Sequence, residues 1–184
     1  MTVTNVHKDT EFLAFSITAE FDASVERVWQ LWADPRQLER WWGPPTYPAT
    51  FVAHDLSQGG TVTYYMTGPE GDQLHGWWRV IAVHAPDRLE FEDGFADGDG
   101  KPMVDMPTTT AKVTIDATES GGARMTIASE FSSLEAMEQL VEMGMEEGMV
   151  QAIGQIDDLL AGAFQAVVGA AAALTRRENY EFDC

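Results

Sequence analysis

The chain has 184 residues and a formal charge of −19, with 11 basic residues against 30 acidic ones. Nucleic-acid binding depends on Lys and Arg contacts with phosphates, so this balance argues against a nucleic-acid or anionic-membrane surface. An apolar fraction of 45% with six Trp is typical of a globular domain. No apolar run is long enough to span a membrane, residues 1–10 carry no secretory pattern, and Cys184 has no partner for a disulfide. These features predict a cytoplasmic protein.

The first part of the chain predicts one strand followed by two short helices. Apolar and polar residues alternate over residues 12–21, as in a half-buried strand. Ser24 then offers an N-cap to a helix whose apolar residues recur every three or four positions. Asp34-Pro35 starts a second short helix, which we expect to carry the doublet Trp41-Trp42 and to end at residues 43–45.

Further strands separated by short turns predict an antiparallel meander. Their signals cover residues 51–55, 61–66, 74–83, 89–91, 111–116 and 125–131. Residues 133–160 then change to helical periodicity and predict one long amphipathic helix. The single apolar face of such a sheet needs one cover. We therefore expect an α+β fold in which a curved antiparallel sheet of about six or seven strands surrounds one long C-terminal helix, with a cavity between them.

Residues 1–162 are predicted to form a single domain, and residues 163–184 a C-terminal extension. The extension comprises an Ala-rich helical segment and a polar tail. Its apolar residues share one face at helical spacing, which makes them a candidate homodimer contact. They are Phe164, Val167, Val168, Ala171 and Leu174.

Three stretches of the chain resemble the START-like (SRPBCC) superfamily: FDASVERVW at 21–29, LERWWGP at 38–44 and DLSQGG at 55–60. Gly76, residues 86–89 and Glu147-Gly148 also match. The pattern is similar to the branch related to the heat-shock-protein-90 ATPase activator and the calicheamicin-resistance protein, and it spans roughly residues 12–160. The resemblance implies a helix-grip fold, an internal apolar cavity and commonly no cofactor, while one fold hosts many functions.

The chain departs from this resemblance in two places. Many relatives carry Gly-Trp where this chain has Gly148-Met149, which predicts a more deformable cavity wall. The residues after Leu160 lie beyond the usual end of the family. The heat-shock-protein-90 activator also has a further N-terminal domain outside the matching region, so chaperone stimulation is not transferred and a chaperone partner is not supported.

The doublets Trp41-Trp42 and Trp77-Trp78 are the first candidates for a ligand pocket. Neighbouring residues point in different directions on a helix or strand, so one ring of each pair should pack inward while the other faces a cavity, edge or partner. Aromatic and Met side chains suit an adaptable pocket, although Met residues at helical spacing more often belong to an ordinary core. The ligand-binding candidates are Trp41, Tyr64, Met66, Trp77, Trp78, Phe91, Met103, Met106, Phe131, Met137, Met145 and Met149. One ring of Trp77-Trp78 is the single side chain that most strongly indicates where a ligand binds.

Polar groups suggest how a ligand is oriented or transformed. Tyr64, His75, Arg79 and Glu147 are candidates to orient it, and Glu147 and Tyr64 are weak catalytic candidates. The four His lack the spacing of helical zinc ligands, so we expect no metal site. The sequence carries no phosphate loop or dinucleotide fingerprint, so we also expect no cofactor. The long connection over residues 94–107 is expected to close one mouth of the cavity.

Three functions remain open at this point. The leading hypothesis is the binding of a small hydrophobic or aromatic ligand, lipid- or polyketide-like, in the cavity and without a cofactor. The alternatives are a cyclase-, dehydratase- or hydrolase-type enzyme that uses a rim carboxylate or Tyr, and a co-chaperone-like interaction module with an exposed Trp as its hot spot.

Overall fold

A computed structural model describes residues 3–162 of the chain. The strands are β1 (Val3–Asp9), β2 (Ala14–Phe21), β3 (Ala49–His54), β4 (Thr61–Thr67), β5 (Gln73–His84), β6 (Arg88–Ala96), β7 (Thr109–Ala117) and β8 (Ala123–Phe131). The helices are α1 (Val25–Ala33), α2 (Pro35–Leu38), α3 (Leu134–Glu142) and α4 (Met145–Gly154), and residues 156–162 are also helical. The predicted α+β class and helix-grip fold are confirmed.

The strands form one antiparallel sheet in the order β1-β2-β8-β7-β6-β5-β4-β3. Inward positions alternate along each strand, and Phe15, Ile17 and Ala19 of β2 are buried as the alternation predicts. Register shifts between Val80 and Ala82 and between Phe51 and Ala53 interrupt the ladders of β5 and β3. Bulges of this kind increase local twist, which helps the sheet to curve around the helices.

Strand β1 is an element that the sequence pattern did not predict. Most of its residues are exposed, so it has no alternation of apolar and polar positions to detect. Its backbone pairs with β2, from Val3 opposite Ala19 to Asp9 opposite Ala14. The strand is therefore held at the sheet edge by main-chain hydrogen bonds, and it brings the count to eight in the described part of the chain.

The two short helices after β2 begin as predicted. The Ser24 hydroxyl accepts a hydrogen bond from the Arg27 N–H at 3.2 Å, and Asp34 Oδ1 accepts one from the Arg36 N–H at 2.9 Å. The second helix ends earlier than predicted, at Leu38. The doublet Trp41-Trp42 lies in the turns that follow it, where both main-chain N–H groups donate to the Leu38 carbonyl oxygen.

The C-terminal helix that covers the sheet is interrupted rather than continuous. Gly144 adopts a left-handed conformation (φ 88°) between α3 and α4, and Gln155 forms a turn before the next helical residues. Helical periodicity continues across both points, which is why the sequence predicted one helix. The left-handed residue redirects the chain where glycine alone carries no steric penalty.

The core lies between the inner face of the sheet and the helices. Met137 and Leu140 of α3, Ile153 of α4 and Ile156 are buried in the same cluster as the inward side chains of the strands. At its centre aromatic rings pack edge to face, including Trp32 on Trp41 at 4.9 Å between centroids.

No helix among residues 3–162 is long and apolar enough to cross a membrane. The predicted extension over 163–184, with its candidate dimer contact, lies outside the described residues.

Candidate functional site

A cavity of about 280 Å³ lies between the inner face of the sheet and the helices α3 and α4. Its walls come from the segment after α2, from strands β4 to β8 and from the two helices, and they are mainly apolar. Its lining residues include Trp41, Trp42, Tyr64, Met66, His75, Gly76, Asp93, Gly94, Phe95, Pro107, Met145, Gly148 and Met149.

Two ionisable side chains, Tyr64 and Asp93, meet in the wall of this cavity. Tyr64 belongs to β4 and Asp93 to β6, and both project inward on either side of β5. The Tyr64 hydroxyl donates a hydrogen bond to Asp93 Oδ1, and the 3.4 Å separation is long for an O–H···O contact. Gly76 of β5 lies opposite Tyr64 in the ladder and provides the space that its ring occupies.

Burial dominates the electrostatics of this pair. It raises the pKa of Asp93 from 3.8 to about 7, although hydrogen bonds from Tyr64 and from the Gly94 N–H act in the opposite direction. Burial also raises the pKa of Tyr64 well above its usual range, and the Asp93 charge raises it further. Near neutral pH the cavity therefore contains a neutral phenol beside a carboxyl group that is partly protonated.

Two indole N–H groups lie close to the same phenol oxygen. Those of Trp42 and Trp78 act to lower the pKa of Tyr64, against the effect of burial. Within the described residues, neither Nε1 atom has a hydrogen-bond partner, although both are buried. A buried donor without an acceptor is unfavourable by roughly 1–3 kcal/mol. The Tyr64–Asp93 pair thus sits among donors whose hydrogen bonds are unmade.

Five of the predicted ligand-binding residues line the cavity. Trp41, Tyr64, Met66, Met145 and Met149 all contribute to its wall. Trp41 is nevertheless almost fully buried, and its N–H donates to the Leu31 carbonyl oxygen at 3.1 Å. Its neighbour Trp42 is half-buried and also lines the cavity.

The second doublet does not line the cavity with either ring. Trp78 is inward and fully buried, stacked on Phe91 at 4.2 Å and packed edge to face against Trp42 at 4.7 Å. Trp77 lies on the outer face of the sheet, where its N–H donates to the Phe95 carbonyl oxygen at 2.9 Å. Its ring covers Gly94, the residue opposite it in the ladder. Of the two doublets, Trp41-Trp42 therefore lines the cavity and Trp77-Trp78 does not.

The remaining apolar candidates lie away from the cavity. Phe91, Phe131 and Met137 are buried in the core but are not among the lining residues. Met103 and Met106 lie in the connection between β6 and β7, where Met103 is 38% exposed and Met106 is half-buried. That connection contributes Pro107 to the cavity wall, and its predicted closing role stays a prediction.

Of the polar candidates, Tyr64 and His75 line the cavity, whereas Arg79 and Glu147 do not. Arg79 forms an exposed ion pair with Glu92 on the outer face. Glu147 is exposed on α4, where it accepts a hydrogen bond from Gln151 at 3.1 Å. Among residues 3–162, no group of three or more His, Cys, Asp or Glu side chains could hold a metal ion.

Sequence reasoning missed Asp93, whose pKa is raised to about 7 by burial. The predicted strand ended at Phe91, whereas β6 continues to Ala96. The missed signal is the alternation Leu89, Phe91, Asp93, which places an acid at an inward position of a strand. An acid at such a position is rarely buried without a partner, so it marks a candidate site.

The comparisons with known proteins place this fold in a family. The family model described as activator of Hsp90 ATPase homolog 1-like protein matches residues 22–161. A solution structure of a protein from Arthrobacter aurescens is 56% identical, with a TM-score of 0.84, and the match covers 88% of this chain and 93% of that one. A crystal structure of a Mycobacterium smegmatis protein is 50% identical, with a TM-score of 0.80 and coverage of 86% and 96%.

A more distant structure, the AHSA1 protein from Silicibacter pomeroyi, shares the fold at 20% identity with a TM-score of 0.65, covering 80% of this chain and 97% of that one. No match was found among curated proteins. The family model covers most of the chain, and the sheet and helices that it spans enclose the cavity described above. The chain belongs to the activator of Hsp90 ATPase homolog 1-like family, within the START-like superfamily.

Proposed function

We propose that the protein binds a small hydrophobic or aromatic ligand in the cavity between the sheet and the helices α3 and α4. The observation that carries this proposal is a mainly apolar cavity of about 280 Å³, open on one side, with few polar groups in its wall. Ligand sites of small molecules commonly combine these two properties. The family's fold commonly encloses such ligands, which supports the same conclusion.

The helical wall of the cavity favours an adaptable site. Met145 and Met149 are flexible thioethers that fit ligands of different shape. Between them Gly148 has open space where a Cβ would lie. Because the helix is interrupted at Gly144, α4 is a separate helical segment next to the cavity. We infer that this wall adjusts to the ligand while the sheet supplies the fixed surface.

A thermal-shift screen against lipids and aromatic metabolites tests the proposal. A ligand that binds only the folded protein raises its melting temperature by mass action. Met149→Trp should fill the cavity and remove the shift, because a larger ring replaces a side chain of its wall. Val52→Trp is the matched control, since Val52 is 71% exposed on β3 and does not line the cavity.

Two results would contradict ligand binding in the cavity. One is a screen in which no class of compound changes the melting temperature. The other is a shift that persists unchanged in Met149→Trp, which would place the ligand elsewhere.

A second candidate function is acid–base catalysis on a bound molecule, and Asp93 is the observation that favours it. A carboxyl group with a pKa of about 7 exchanges protons efficiently near neutral pH. Asp93 replaces Glu147 as the candidate catalytic group, because Glu147 is exposed away from the cavity. Mass spectrometry of each bound compound after incubation separates the two functions. A changed product that disappears in Asp93→Asn supports catalysis, whereas unchanged compounds support binding alone.

The interaction-module alternative depended on an exposed Trp. All six Trp lie within the described residues, and none of them is exposed. Trp42 and Trp77 are half-buried, and the other four are buried. No observation favours this alternative.

A further inference from the structure

The described wall of the cavity carries one acid and no base. None of the described residues that line the cavity is Lys or Arg, and Asp93 is the only acidic one among them. His75 also contributes to the wall, but it alternates with the inward Gly76 along β5, so its ring lies on the outer face. There its centroid is 5.5 Å from that of the Tyr65 ring. The Asp93 carboxyl is therefore the single charged group that the described wall presents to a bound molecule.

Asp93 is accessible from the cavity and has no counter-charge. It occupies an inward position of β6 and is half-buried, so part of its surface remains accessible. Its hydrogen-bond donors are the Tyr64 hydroxyl, at 3.4 Å, and the Gly94 N–H, and neither group carries a charge. None of the ion pairs within residues 3–162 includes Asp93. A carboxylate in apolar surroundings is unfavourable unless an opposite charge lies beside it.

Aromatic rings line the same part of the cavity. Tyr64 contacts Asp93, and Trp42 packs against Tyr64 with 6.0 Å between the ring centroids. Phe95 follows two residues after Asp93, on the same face of β6. The face of an aromatic ring attracts a cation, and the attraction is stronger away from water. The formal charge of −19 also attracts cations toward the protein and repels anions.

We infer that the ligand is a hydrophobic amine, bound as its ammonium ion with the charged nitrogen beside Asp93 and its apolar part against Met145 and Met149. This inference rests on the proposed ligand-binding function and specifies the ligand's chemical class. A neutral hydroxyl or amide donates a hydrogen bond to the carboxylate but leaves its charge uncompensated, whereas an ammonium group supplies both the donor and the opposite charge. An anionic ligand would oppose the charge of Asp93.

The protonation of Asp93 couples amine binding to pH. Its pKa is raised to about 7 by burial, so below pH 7 most of the carboxyl must lose a proton before it pairs with an ammonium ion. The affinity for the amine should therefore fall as the pH falls through 7. Tyr64 stays neutral, because burial keeps its pKa well above its usual range. The lining residues from the segment after α2 and from β7, β8, α3 and α4 include no titratable side chain.

Calorimetric titration of the full chain at pH 8 with two ligands of one shape tests the inference. 1-Naphthylmethylammonium carries the charge, and 1-naphthylmethanol offers a neutral hydroxyl donor on the same apolar skeleton. We expect the ammonium ion to bind on the order of tenfold more tightly, as a charge-assisted hydrogen bond implies. At pH 6 its affinity should be roughly tenfold lower than at pH 8. Binding at pH 6 should also release a proton, which titrations in buffers of different ionisation enthalpy measure.

Variants identify the group responsible. Asp93→Asn should abolish the preference for the ammonium ion at pH 8 while leaving the affinity for 1-naphthylmethanol nearly unchanged. Glu92→Gln is the matched control, because it also removes one negative charge, but at a residue that pairs with Arg79 on the outer face. It should retain the preference. The proton release at pH 6 is measured on the unsubstituted protein, so this part of the test does not depend on the folding of Asp93→Asn.

The outcomes separate the inference from the function on which it rests. Equal or tighter binding of 1-naphthylmethanol at pH 8, or no proton release at pH 6, overturns the ammonium assignment while ligand binding stands. A preference that is lost equally in Glu92→Gln and Asp93→Asn arises from the overall charge of the protein, and overturns the assignment as well. Binding of neither probe also overturns it, and the thermal-shift screen then decides the proposed function on its own.

Discussion

The ring of Tyr64 lies directly against Gly76, its partner across the β4–β5 ladder. A Cβ at position 76 would be 2.5 Å from the Tyr64 hydroxyl oxygen, closer than such atoms approach. Gly76 is one of the residues that carry the resemblance to the START-like superfamily. Its role here is to let the phenol lie flat across β5 and reach Asp93 on the next strand.

Gly76→Ala should therefore displace the Tyr64 ring and destabilise the protein by about 1–3 kcal/mol, as overpacking does in other cores. Urea unfolding measures the change. Gly98→Ala is the control, because a Cβ at Gly98 meets nothing within 4 Å and its backbone is not left-handed. Equal stability of both variants would show that the ring moves aside without cost.

Asp93→Asn should change how stability depends on pH. The folded state holds the Asp93 proton up to about pH 7, whereas the unfolded chain releases it near 3.8. Between these values the unfolded state binds fewer protons, so the carboxyl makes stability fall as pH rises, and the loss is complete above pH 7. The Asp93→Asn variant lacks this loss. Its free energy of unfolding, relative to that of the unsubstituted protein, should therefore be up to a few kcal/mol higher at pH 8 than at pH 4.

Urea unfolding of both proteins at pH 4, 6 and 8 checks this expectation. A stability difference that stays constant over the range would mean that Asp93 titrates in the folded protein as it does in the unfolded chain. Glu92→Gln is the control, because Glu92 is the adjacent acid and pairs with Arg79 on the outer face rather than lining the cavity.

Much of the fold was predictable because its strands bury one face each. Alternation located β2, β4 and β8 closely, and the caps at Ser24 and Asp34 located the helix starts. β1 escaped because an exposed edge strand has no apolar pattern. The break at Gly144 escaped because a single left-handed residue leaves the helical period intact.

The candidate site was less predictable than the fold. Helical spacing grouped Met137, Met145 and Met149 on one face, but only the last two line the cavity. Asp93 required knowledge that β6 extends past Phe91. Trp77 and Trp78 are the same residue type, so the sequence does not distinguish them. Only the strand register decides which of them faces inward. Which inward residues line a cavity rather than a filled core depends on sheet curvature, which no local pattern specifies.

The glycines of the C-terminal helices should respond oppositely to alanine. Gly144 is left-handed, so Gly144→Ala is expected to destabilise by about 1–2 kcal/mol. Gly148 lies within α4 with open space around it, so Gly148→Ala should stabilise by roughly 0.5–1 kcal/mol through helix propensity. Thermal unfolding of the pair measures both effects, and changes of the same sign would contradict the conformations assigned here.

Substitutions at Trp77 and at Trp42 should have different effects, the first on stability and the second on ligand affinity. Trp77→Ala removes the ring that covers Gly94 and the hydrogen bond to Phe95, so it should destabilise by about 1–3 kcal/mol without changing ligand affinity. Trp42→Phe replaces a ring of the cavity wall with a smaller one, so it should weaken binding of ligands found in the thermal-shift screen. Weaker binding in Trp77→Ala alone would reverse this assignment.

Gln155 joins the turn after α4 to the segment after α2. Its Nε2 donates to the Gly43 carbonyl oxygen at 2.7 Å, and Gly43 is buried. Gln155→Leu leaves that carbonyl without this donor and should reduce the free energy of unfolding by about 1–3 kcal/mol. Gln151→Leu is the control, because Gln151 is exposed and donates a hydrogen bond to Glu147 on the surface of α4. Similar losses in both variants would rule out a special role for the Gly43 contact.

The cluster of Trp32, Trp41, Trp42 and Trp78 has an optical consequence. Neighbouring rings are 4.7–6.2 Å apart between centroids, close enough for their excited states to couple. Light absorbed by any of the four indoles is then shared with Trp42, the half-buried ring in the cavity wall. A molecule in the cavity that quenches Trp42 should therefore lower the fluorescence of all four indoles. Intrinsic Trp fluorescence should thus report binding in the cavity without an added dye.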